Sequence, residues 1–247
     1  MVRKALLIRP DLCIGCRACQ VACKAWKLLP AEKTINRGTH ENPPDLSAVT
    51  YNKIKFIEIS KHNGEVKWFF VSERCKHCGD PMCVTVCPVR ALQKDSTTGI
   101  VFYDKEKCIG CRACSYACPY NIPRYEEKNN KIAKCDLCID RVKEGLEPAC
   151  AKACPTEAIK YGDRNELLKI AKKEYRYIYG EKEYKGLGVL YALNEPPSVY
   201  LLKEAKTVSK DILALGEFLR TLVDKGVPID SSVVQKFFAN KTSFLNT

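Results

Sequence analysis

The fold is decided by a short cysteine-rich stretch, residues 108–119, which reads CIGCRACSYACP. Its cysteines follow the spacing C-x2-C-x2-C-x3-C, so three thiolates within seven residues can surround three corners of one compact metal–sulfur centre. Gly110 lets the loop turn tightly and brings backbone N–H groups close to the sulfurs. Cys118 lies four residues beyond Cys114, about one helical turn further along. Cys118 is therefore set apart along the chain from the three cysteines of the loop.

The rest of the chain repeats this arrangement, because all sixteen cysteines fall into four groups of four. The groups are, in order, Cys13, Cys16, Cys19 and Cys23; Cys75, Cys78, Cys83 and Cys87; Cys108, Cys111, Cys114 and Cys118; and Cys135, Cys138, Cys150 and Cys154. Their internal spacings are x2-x2-x3, x2-x4-x3, x2-x2-x3 and x2-x11-x3. A proline follows groups two, three and four, where we expect it to shape the turn and exclude water: Pro88, Pro119 and Pro155. This internal repeat organises the whole sequence.

Three chemistries compete for cysteines in this number. The run C-x2-C-x2-C-x3-C-P is the one by which bacterial ferredoxins hold [4Fe–4S] clusters. Structural zinc sites instead combine two C-x2-C pairs, or cysteine pairs with histidine, and this chain has only three histidines. Disulfides are disfavoured because cysteines three residues apart are poorly placed to pair and no secretory signal is visible. We therefore predict four [4Fe–4S] clusters.

The charge and hydropathy of the chain fit a soluble globular protein that carries clusters. The formal net charge of +12 counts the cysteines as neutral, whereas sixteen thiolates and four oxidised cluster cores of +2 each would reduce it to about +4. The basic residues therefore offset cluster charge, and we expect no nucleic-acid partner. We also expect no transmembrane segment, because candidate runs such as 212–219 are short and include Glu217.

The predicted fold is α+β. Residues 1–162 are expected to form two fused bacterial-ferredoxin-like units, each with two clusters, in which 24–74 is an insertion and 75–118 is the inner unit. A strand at 5–9, hairpins over 51–59 with 66–71 and over 92–94 with 100–103, and a strand at 158–161 are predicted, the first hairpin turning at Asn63-Gly64. Residues 163–247 are expected to be a mainly helical extension that packs over the cluster domain or docks onto a partner.

The elements of this extension are predicted from caps and apolar periodicity. Asp163 is expected to cap a helix over 166–177, and a strand follows at 187–193. Ser209 is expected to cap a helix over 212–223 that Gly226 ends. Ser231 or Ser232 is expected to cap a last helix over 233–238.

Several residues beside the cysteines could tune or ligate the clusters. His77 lies between two cysteines of group two, but four cysteines already complete that group, so we expect a surface residue or a neighbour of the ligands. Four basic residues could raise cluster reduction potentials or simply face solvent: Arg17, Lys24, Lys76 and Arg112. Trp26 and Trp68 are expected to serve packing.

The full set of cysteine groups, over residues 3–162, resembles the four-cluster iron–sulfur subunits of the molybdopterin (dimethyl-sulfoxide reductase) enzyme family. Three stretches narrow the resemblance to the small subunit of formate dehydrogenases: ACQVACKAW at 18–26, GTHENPPD at 38–45 and KCDLCIDR at 134–141. Sister subunits of that family serve nitrite, polysulfide, thiosulfate and dimethyl-sulfoxide enzymes. The resemblance implies an electron-transfer subunit with no catalytic centre of its own.

The resemblance also implies how the cysteines are shared among clusters, which spacing alone does not give. The implied ligand sets are Cys13, Cys16, Cys19 and Cys154; Cys135, Cys138, Cys150 and Cys23; Cys75, Cys78, Cys83 and Cys118; and Cys108, Cys111, Cys114 and Cys87. In the family, electrons pass through the clusters in that order away from the catalytic subunit. Some relatives replace the second cysteine of group three by tryptophan and hold a three-iron cluster there. This chain keeps Cys111, so four cubanes are expected.

The implied partners are a large catalytic subunit with molybdopterin, carrying molybdenum or tungsten, and a cytochrome or a membrane quinone-reactive subunit as acceptor. The sequence lacks the C-terminal transmembrane helix of membrane-bound relatives. Periplasmic relatives are exported with a partner that carries a twin-arginine signal, so the periplasmic face is favoured over the cytoplasm. Two other classes stay open: a freestanding polyferredoxin and a zinc-dependent nucleic-acid binder.

Overall fold

The computed structural model describes residues 2–60, 64–202, 204 and 207–242. Within those ranges the strands are β1 (Lys4–Ile8), β2 (Asn52–Ser60), β3 (Val66–Arg74), β4 (Leu92–Lys94), β5 (Val101–Tyr103), β6 (Arg124–Glu126), β7 (Lys131–Ala133), β8 (Ile159–Asp163), β9 (Tyr177–Tyr179) and β10 (Val189–Leu193). The α-helices are α1 (Ala18–Trp26), α2 (Met82–Thr85), α3 (Ala113–Ala117), α4 (Ile139–Lys143), α5 (Ala149–Lys152), α6 (Arg164–Glu174), α7 (Lys210–Asp224) and α8 (Ser231–Thr242). Short 3-10 turns connect some of them.

A four-stranded sheet, in the order β8–β1–β10–β9, holds the start of the chain against its later parts. β1 runs antiparallel to β8 and parallel to β10. One face of β1, with Ala5 and Leu7, packs against Leu167 and Ala171 of α6. The other face, with Leu6 and Ile8, packs towards the cysteines. Because both faces are covered, β1 is a continuous apolar run rather than an alternating one.

This sheet extends past residue 162, where the sequence predicted the extension to begin. β9 and β10 supply half of its strands and come from residues 177–193. The predicted helix over 166–177 was wrong at its end: α6 ends at Glu174, and Tyr177 begins β9. The segment Tyr-Ile-Tyr pairs with β10 because aromatic and β-branched side chains favour a half-buried strand. Asp163 precedes α6 but makes no side-chain capping bond, and instead it accepts a hydrogen bond from Lys4 Nζ.

The long hairpin of β2 and β3 lies where the sequence predicted it, with Asn52 opposite Arg74 at its base. Of the predicted Asn63-Gly64 turn, Asn63 lies outside the described residues, and Gly64 has a φ of +82°. The end of β3 leads directly into Cys75, so the hairpin positions Arg74 beside group two.

Two short hairpins separate the later cysteine groups. β4 and β5 lie between groups two and three, as predicted. β6 and β7 lie between groups three and four and were not predicted, because their residues are mostly polar. Asn130 turns this second hairpin with a φ of +50°, a conformation that asparagine adopts more readily than most residues.

α7 and α8 pack on the short helices α2 and α3. Ser209 caps α7 as predicted, its hydroxyl accepting the N–H of Asp211. Gly216 lets α7 approach closely, because a Cβ there would lie 2.5 Å from Val86 Cα. α8 begins at Ser231, and the side chain of Asp230, rather than a serine, accepts the N–H of Ser232. Among the described residues, no helix has the length and apolarity needed to cross a bilayer.

Candidate iron–sulfur cluster sites

Groups one and three place their cysteines on loops with nearly the same backbone. Gly15 and Gly110 have φ values of +66° and +73°, and Arg17 and Arg112 have φ values of +61° and +60°. Two left-handed residues in each loop curl the backbone around one point, an arrangement that turns N–H groups inwards. A Cβ at Gly110 would lie 2.2 Å from the carbonyl oxygen of Asn130. The glycine of this loop is therefore required both by its φ value and by close packing.

Two cavities are each lined by three cysteines of one group and one of another. The first is lined otherwise mostly by apolar residues and contains what we call site 1: Cys13, Cys16, Cys19 and Cys154. The second is also lined by Ile109 and Ile132 and contains site 4: Cys87, Cys108, Cys111 and Cys114.

The other eight cysteines are brought together in the same crossed manner. Site 2 consists of Cys23, Cys135, Cys138 and Cys150. The pKa of the Cys23 thiol is raised to about 12, chiefly by burial and then by the neighbouring Cys150 and Cys138, although these belong to group four. Site 3 consists of Cys75, Cys78, Cys83 and Cys118. Burial raises the pKa of Cys83 well above its usual value, and Cys118, Cys75 and Cys78 all contribute to that rise.

The four sites form a row, because each is close enough to the next for their thiols to interact. Cys150 of site 2 raises the pKa of Cys19 in site 1, after the larger effect of burial. Cys75 of site 3 acts in the same way on Cys135 of site 2. Cys83 of site 3 acts on Cys114 of site 4, again after burial. The order along the row is therefore site 1, site 2, site 3, site 4.

The donor atoms and the linings of these sites fit [4Fe–4S] clusters. All four sites offer four thiols, and backbone N–H groups approach the sulfurs: Leu92 N to Cys87 Sγ at 3.5 Å, Ile122 N to Cys118 Sγ at 3.4 Å and Leu137 N to Cys135 Sγ at 3.4 Å. Such bonds are typical of cluster loops. A tetrahedral zinc ion needs its sulfurs about 2.3 Å from one point. In the part of the chain that the structure describes, no three His, Cys, Asp or Glu side chains form a group able to hold a single metal ion.

Known proteins share this pattern. Residues 66–164 and 12–91 match two family models, each described as a 4Fe-4S dicluster domain. The nitrate-inducible formate dehydrogenase iron-sulfur subunit of Escherichia coli K12 is 39% identical over 208 residues, which cover 79% of this chain and 70% of that protein. Formate dehydrogenase 2 subunit beta (cytochrome c-553) of Nitratidesulfovibrio vulgaris is 39% identical over 210 residues, covering 82% and 94%.

The chain belongs to the family of formate dehydrogenase iron–sulfur subunits. It is an iron–sulfur electron-transfer protein built from two 4Fe-4S dicluster units in an α+β fold. The Hydrogenase-2 operon protein HybA of Escherichia coli O157:H7 is also similar, at 36% identity over 230 residues, which cover 77% of this chain and 70% of that protein.

His77 of this iron–sulfur subunit is buried rather than at the surface, so that part of the prediction was wrong. The backbone N–H of Val101 donates to His77 Nδ1 at 3.1 Å. Burial holds the pKa of His77 well below its usual value, and the nearby Lys134 and Arg74 lower it further. The ring is therefore neutral, its Nδ1 lone pair is used, and its proton resides on Nε2.

Of the four basic residues that could tune the clusters or face solvent, Arg17 lines the cavity of site 1 and Arg112 lines that of site 4, and all four make contacts with other groups. The Arg17 guanidinium lies 4.8 Å from the Phe56 ring centroid, and the Arg112 guanidinium lies 3.5 Å from that of Tyr125. Lys24 Nζ donates to the carbonyl oxygens of Pro30 and Val49. Lys76 Nζ donates to the Tyr191 hydroxyl at 2.6 Å.

The two tryptophans are partly exposed, and each contacts other side chains. Trp26 donates its Nε1–H to Asp140 at 2.8 Å and lies beneath the Arg141 guanidinium. Trp68 packs edge-on against Phe70 of the same hairpin.

The sequence reasoning missed two basic residues that do lie among the cysteines. Arg74 is 1% exposed and Lys134 is 2% exposed. Burial alone would lower the pKa of each, but the surrounding cysteines raise both, chiefly Cys150 and Cys19 for Arg74, and Cys75 and Cys83 for Lys134. The signal available in the sequence is positional: each residue directly precedes the first cysteine of its group.

Proposed function

We propose that this iron–sulfur subunit holds four [4Fe–4S] clusters and relays electrons between a molybdopterin catalytic subunit, most similar in kind to that of a formate dehydrogenase, and a separate electron acceptor. The observation that carries the proposal is the unbroken row of four cysteine sites. It is supported by the formate dehydrogenase names of the relatives that match about four-fifths of the chain.

The proposed ligands are the four cysteines of each site. Each site takes three cysteines from one group and the fourth from another, so both groups must fold together before either of their sites is complete. When bound, the clusters would supply one-electron acceptance and release. The chain supplies thiolates, backbone N–H donors to sulfur and an apolar lining that excludes water, as Ile54 and Phe70 do at site 1.

The proposed docking region for the catalytic partner is site 1. Among the sixteen cysteines, all of which are in the described part of the chain, only Cys16 is exposed. Ile14 is 60% exposed beside it, and Val21 of α1 is exposed as well. Apolar side chains around an exposed ligand favour a protein partner that covers them. Electrons would then enter at site 1 and leave from site 4, or pass in reverse.

The proposal is tested by purifying the chain from its native source under anaerobic conditions. We expect about sixteen iron atoms and as much acid-labile sulfide per chain. We expect a large pterin-containing protein to co-purify and formate to bleach the cluster absorption. A zinc-containing chain without sulfide would overturn the cluster proposal. A pterin-containing partner that formate does not reduce would overturn the formate assignment alone.

A second candidate follows from the similarity to HybA, a protein named for a hydrogenase operon. In that case the same row of sites would receive electrons from a hydrogenase. The comparison is direct: hydrogen and formate are offered separately to the purified complex, and the donor that bleaches the clusters identifies the partner class. A chain that purifies alone and that neither donor reduces favours a freestanding polyferredoxin.

A further inference from the structure

Two buried cations, Arg74 and Lys134, occupy equivalent places in the fold. Arg74 is the last residue of β3, in the long hairpin, and Lys134 follows β7, in a short hairpin. Each hairpin therefore places a basic residue directly before the first cysteine of a group. Neither side chain reaches solvent. Their ends must therefore find partners inside the protein.

Arg74 lies between site 1 and site 2. Its Nη1 donates to Cys150 Sγ at 2.7 Å, its Nη2 to Asn52 Oδ1 at 2.8 Å and its Nε to Ser72 Oγ at 2.9 Å. The Ser72 hydroxyl donates in turn to Asn52 Oδ1. These bonds fix the orientation of the guanidinium, with Nη1 directed at Cys150 Sγ. Cys19 of site 1 and Cys135 of site 2 also lie within its electrostatic reach.

Lys134 lies between site 2 and site 3. Its Nζ donates to the carbonyl oxygens of Val101 and Cys135, at 2.5 Å and 2.8 Å. Cys75 and Cys83 of site 3 and then Cys135 of site 2 raise the pKa of Lys134 most, and Asp136 raises it less. Site 2 is therefore flanked by one buried cation on each side.

The counter-charge for both cations comes from the cysteines. A buried charge is unfavourable unless an opposite charge compensates for it. The hydrogen-bond partners of Arg74 are a sulfur, an amide and a hydroxyl, and those of Lys134 are carbonyl oxygens. Reduction of a bound group adds one negative charge, which a fixed neighbouring cation stabilises. Hydrogen bonds to ligand sulfur act in the same direction.

We propose that Arg74 and Lys134 are positioning residues that raise the reduction potential of the group held at site 2, Arg74 through its bond to Cys150 and Lys134 from the opposite side. A higher reduction potential at site 2 favours the transfer of an electron from site 1 to site 2. The inference rests on the proposed function, since it requires a redox group at site 2.

Lys76 provides a matched control within the chain. It is also buried and also adjoins Cys75 in sequence, yet its ammonium is directed to Tyr191 and Glu73 rather than to sulfur. A Lys76→Met variant removes one buried positive charge, as Lys134→Met does. The two variants therefore differ in where the charge lay, not in the chemical change.

The experiment is a redox titration of the intact, cluster-loaded complex followed by electron paramagnetic resonance. We expect Arg74→Gln and Lys134→Met each to reduce the ratio of reduced to oxidised site 2 group at least tenfold at a fixed potential, equal to a shift of about 59 mV for one electron. Arg74→Lys should recover part of the shift, because it keeps the charge but loses the fork of donors. Lys76→Met should shift the ratio less than threefold.

The inference is overturned if Arg74→Gln and Lys134→Met retain full iron content and titrate like the wild type, or if Lys76→Met shifts site 2 as much as they do. If Arg74→Gln fails to assemble, Lys134→Met and Arg74→Lys decide the matter by the same ratio. Measuring the iron and sulfide content of the wild type tests the proposed function separately, because that content does not depend on the two substitutions. A wild type that holds clusters but ignores formate contradicts the partner assignment and leaves the test of Arg74 and Lys134 intact.

Discussion

The heptapeptide CIGCRAC occurs twice in this chain, at 13–19 and at 108–114, and the two copies have very different surroundings. Their glycine and arginine residues share the same left-handed backbone, and each arginine lies over an aromatic ring of a nearby hairpin. Cys16 in the first copy is exposed, whereas the equivalent Cys111 is buried. An identical loop can thus form an open site or a closed one, depending on what the rest of the chain packs over it.

The second copy, at site 4, is covered by α7 and α8, and we call it the closed end. Arg220 of α7 donates to the carbonyl oxygens of Val84, Thr85 and Cys87, and so binds the end of α2 next to a cysteine of site 4. Gln235 of α8 donates to the carbonyl oxygen of Gly110 at 2.7 Å, inside the loop of the second copy. The equivalent loop at site 1 is open to solvent at Ile14 and Cys16. This difference supports the proposal that the exposed loop at site 1 docks a partner, whereas α7 and α8 cover the loop at site 4.

The largest expected effect on the clusters comes from replacing the one cysteine of site 1, and the one cysteine of site 4, that belongs to a different cysteine group from the other three. Cys154→Ser should disturb the resonance signal of the group held by Cys13, Cys16 and Cys19, and Cys87→Ser that of the group held by Cys108, Cys111 and Cys114. Cys23→Ser should disturb site 2 rather than site 1, because Cys23 lies among Cys138 and Cys150. Paramagnetic resonance with iron analysis on each variant checks this. Signals that change only within the mutated residue's own group would contradict the crossed sites.

A second large effect is expected at the closed end. Phe238 of α8 is fully buried and stacks on Tyr116, with ring centroids 5.7 Å apart. Phe238→Ala should cost about 3–5 kcal/mol of packing free energy and release α8 from site 4. Thermal unfolding measures the first effect, and the rate of cluster loss in air measures the second. Phe237→Ala, at a half-exposed position of the same helix, should cost clearly less. Equal losses from both variants would refute the role of α8 as a cover.

The equivalent isoleucines of the two copies sharpen the comparison. Ile14 is exposed, whereas Ile109 packs against the core around site 4. Ile14→Glu should change the stability of the isolated chain by less than about 0.5 kcal/mol. It should weaken binding of the catalytic partner by roughly 2 kcal/mol, or about thirtyfold. Ile109→Glu should instead destabilise the chain and leave partner affinity unchanged in the folded fraction. Calorimetry measures the stability of each variant, and a binding titration measures its affinity for the partner. Unchanged partner affinity for Ile14→Glu would contradict the proposed docking region at site 1.

The smallest expected effect concerns the exposed ion pair of Arg90 and Asp224, which fastens the end of α7. Nη1 and Nη2 of Arg90 each donate to the Asp224 carboxylate at 2.7 Å, and this pairing lowers the pKa of Asp224 below its usual 3.8. A lowered folded-state pKa means that the pair stabilises the fold above pH 3.8 and that this contribution is lost as the pH falls further. Arg90→Gln should therefore lower the melting temperature slightly at neutral pH, and its difference from the wild type should shrink as the pH falls below 3.8. A constant difference at all pH values would exclude the pair as its cause.

Local signals allowed the sequence to predict most of the cysteine chemistry but less of the fold. Cluster loops are encoded by spacing within a few residues, and the hairpins by turn residues and alternation. β10 pairs with β1 through contacts that span more than 170 residues, which no local pattern encodes, and β9 joins the sheet through β10. Arg74 and Lys134 were missed for a different reason: basic residues are usually exposed, and only the buried sulfurs around them make their burial favourable.

The most direct test of the row is to interrupt it. Cys135→Ala, with its loss of about four iron atoms confirmed, should remove the group at site 2 from the intact complex. Reduction by formate is then followed by paramagnetic resonance at the two ends. The relay account predicts that the site 1 group is reduced as in the wild type while the site 4 group stays oxidised. Reduction of site 4 at the wild-type rate would contradict the row of sites as the path of the electrons.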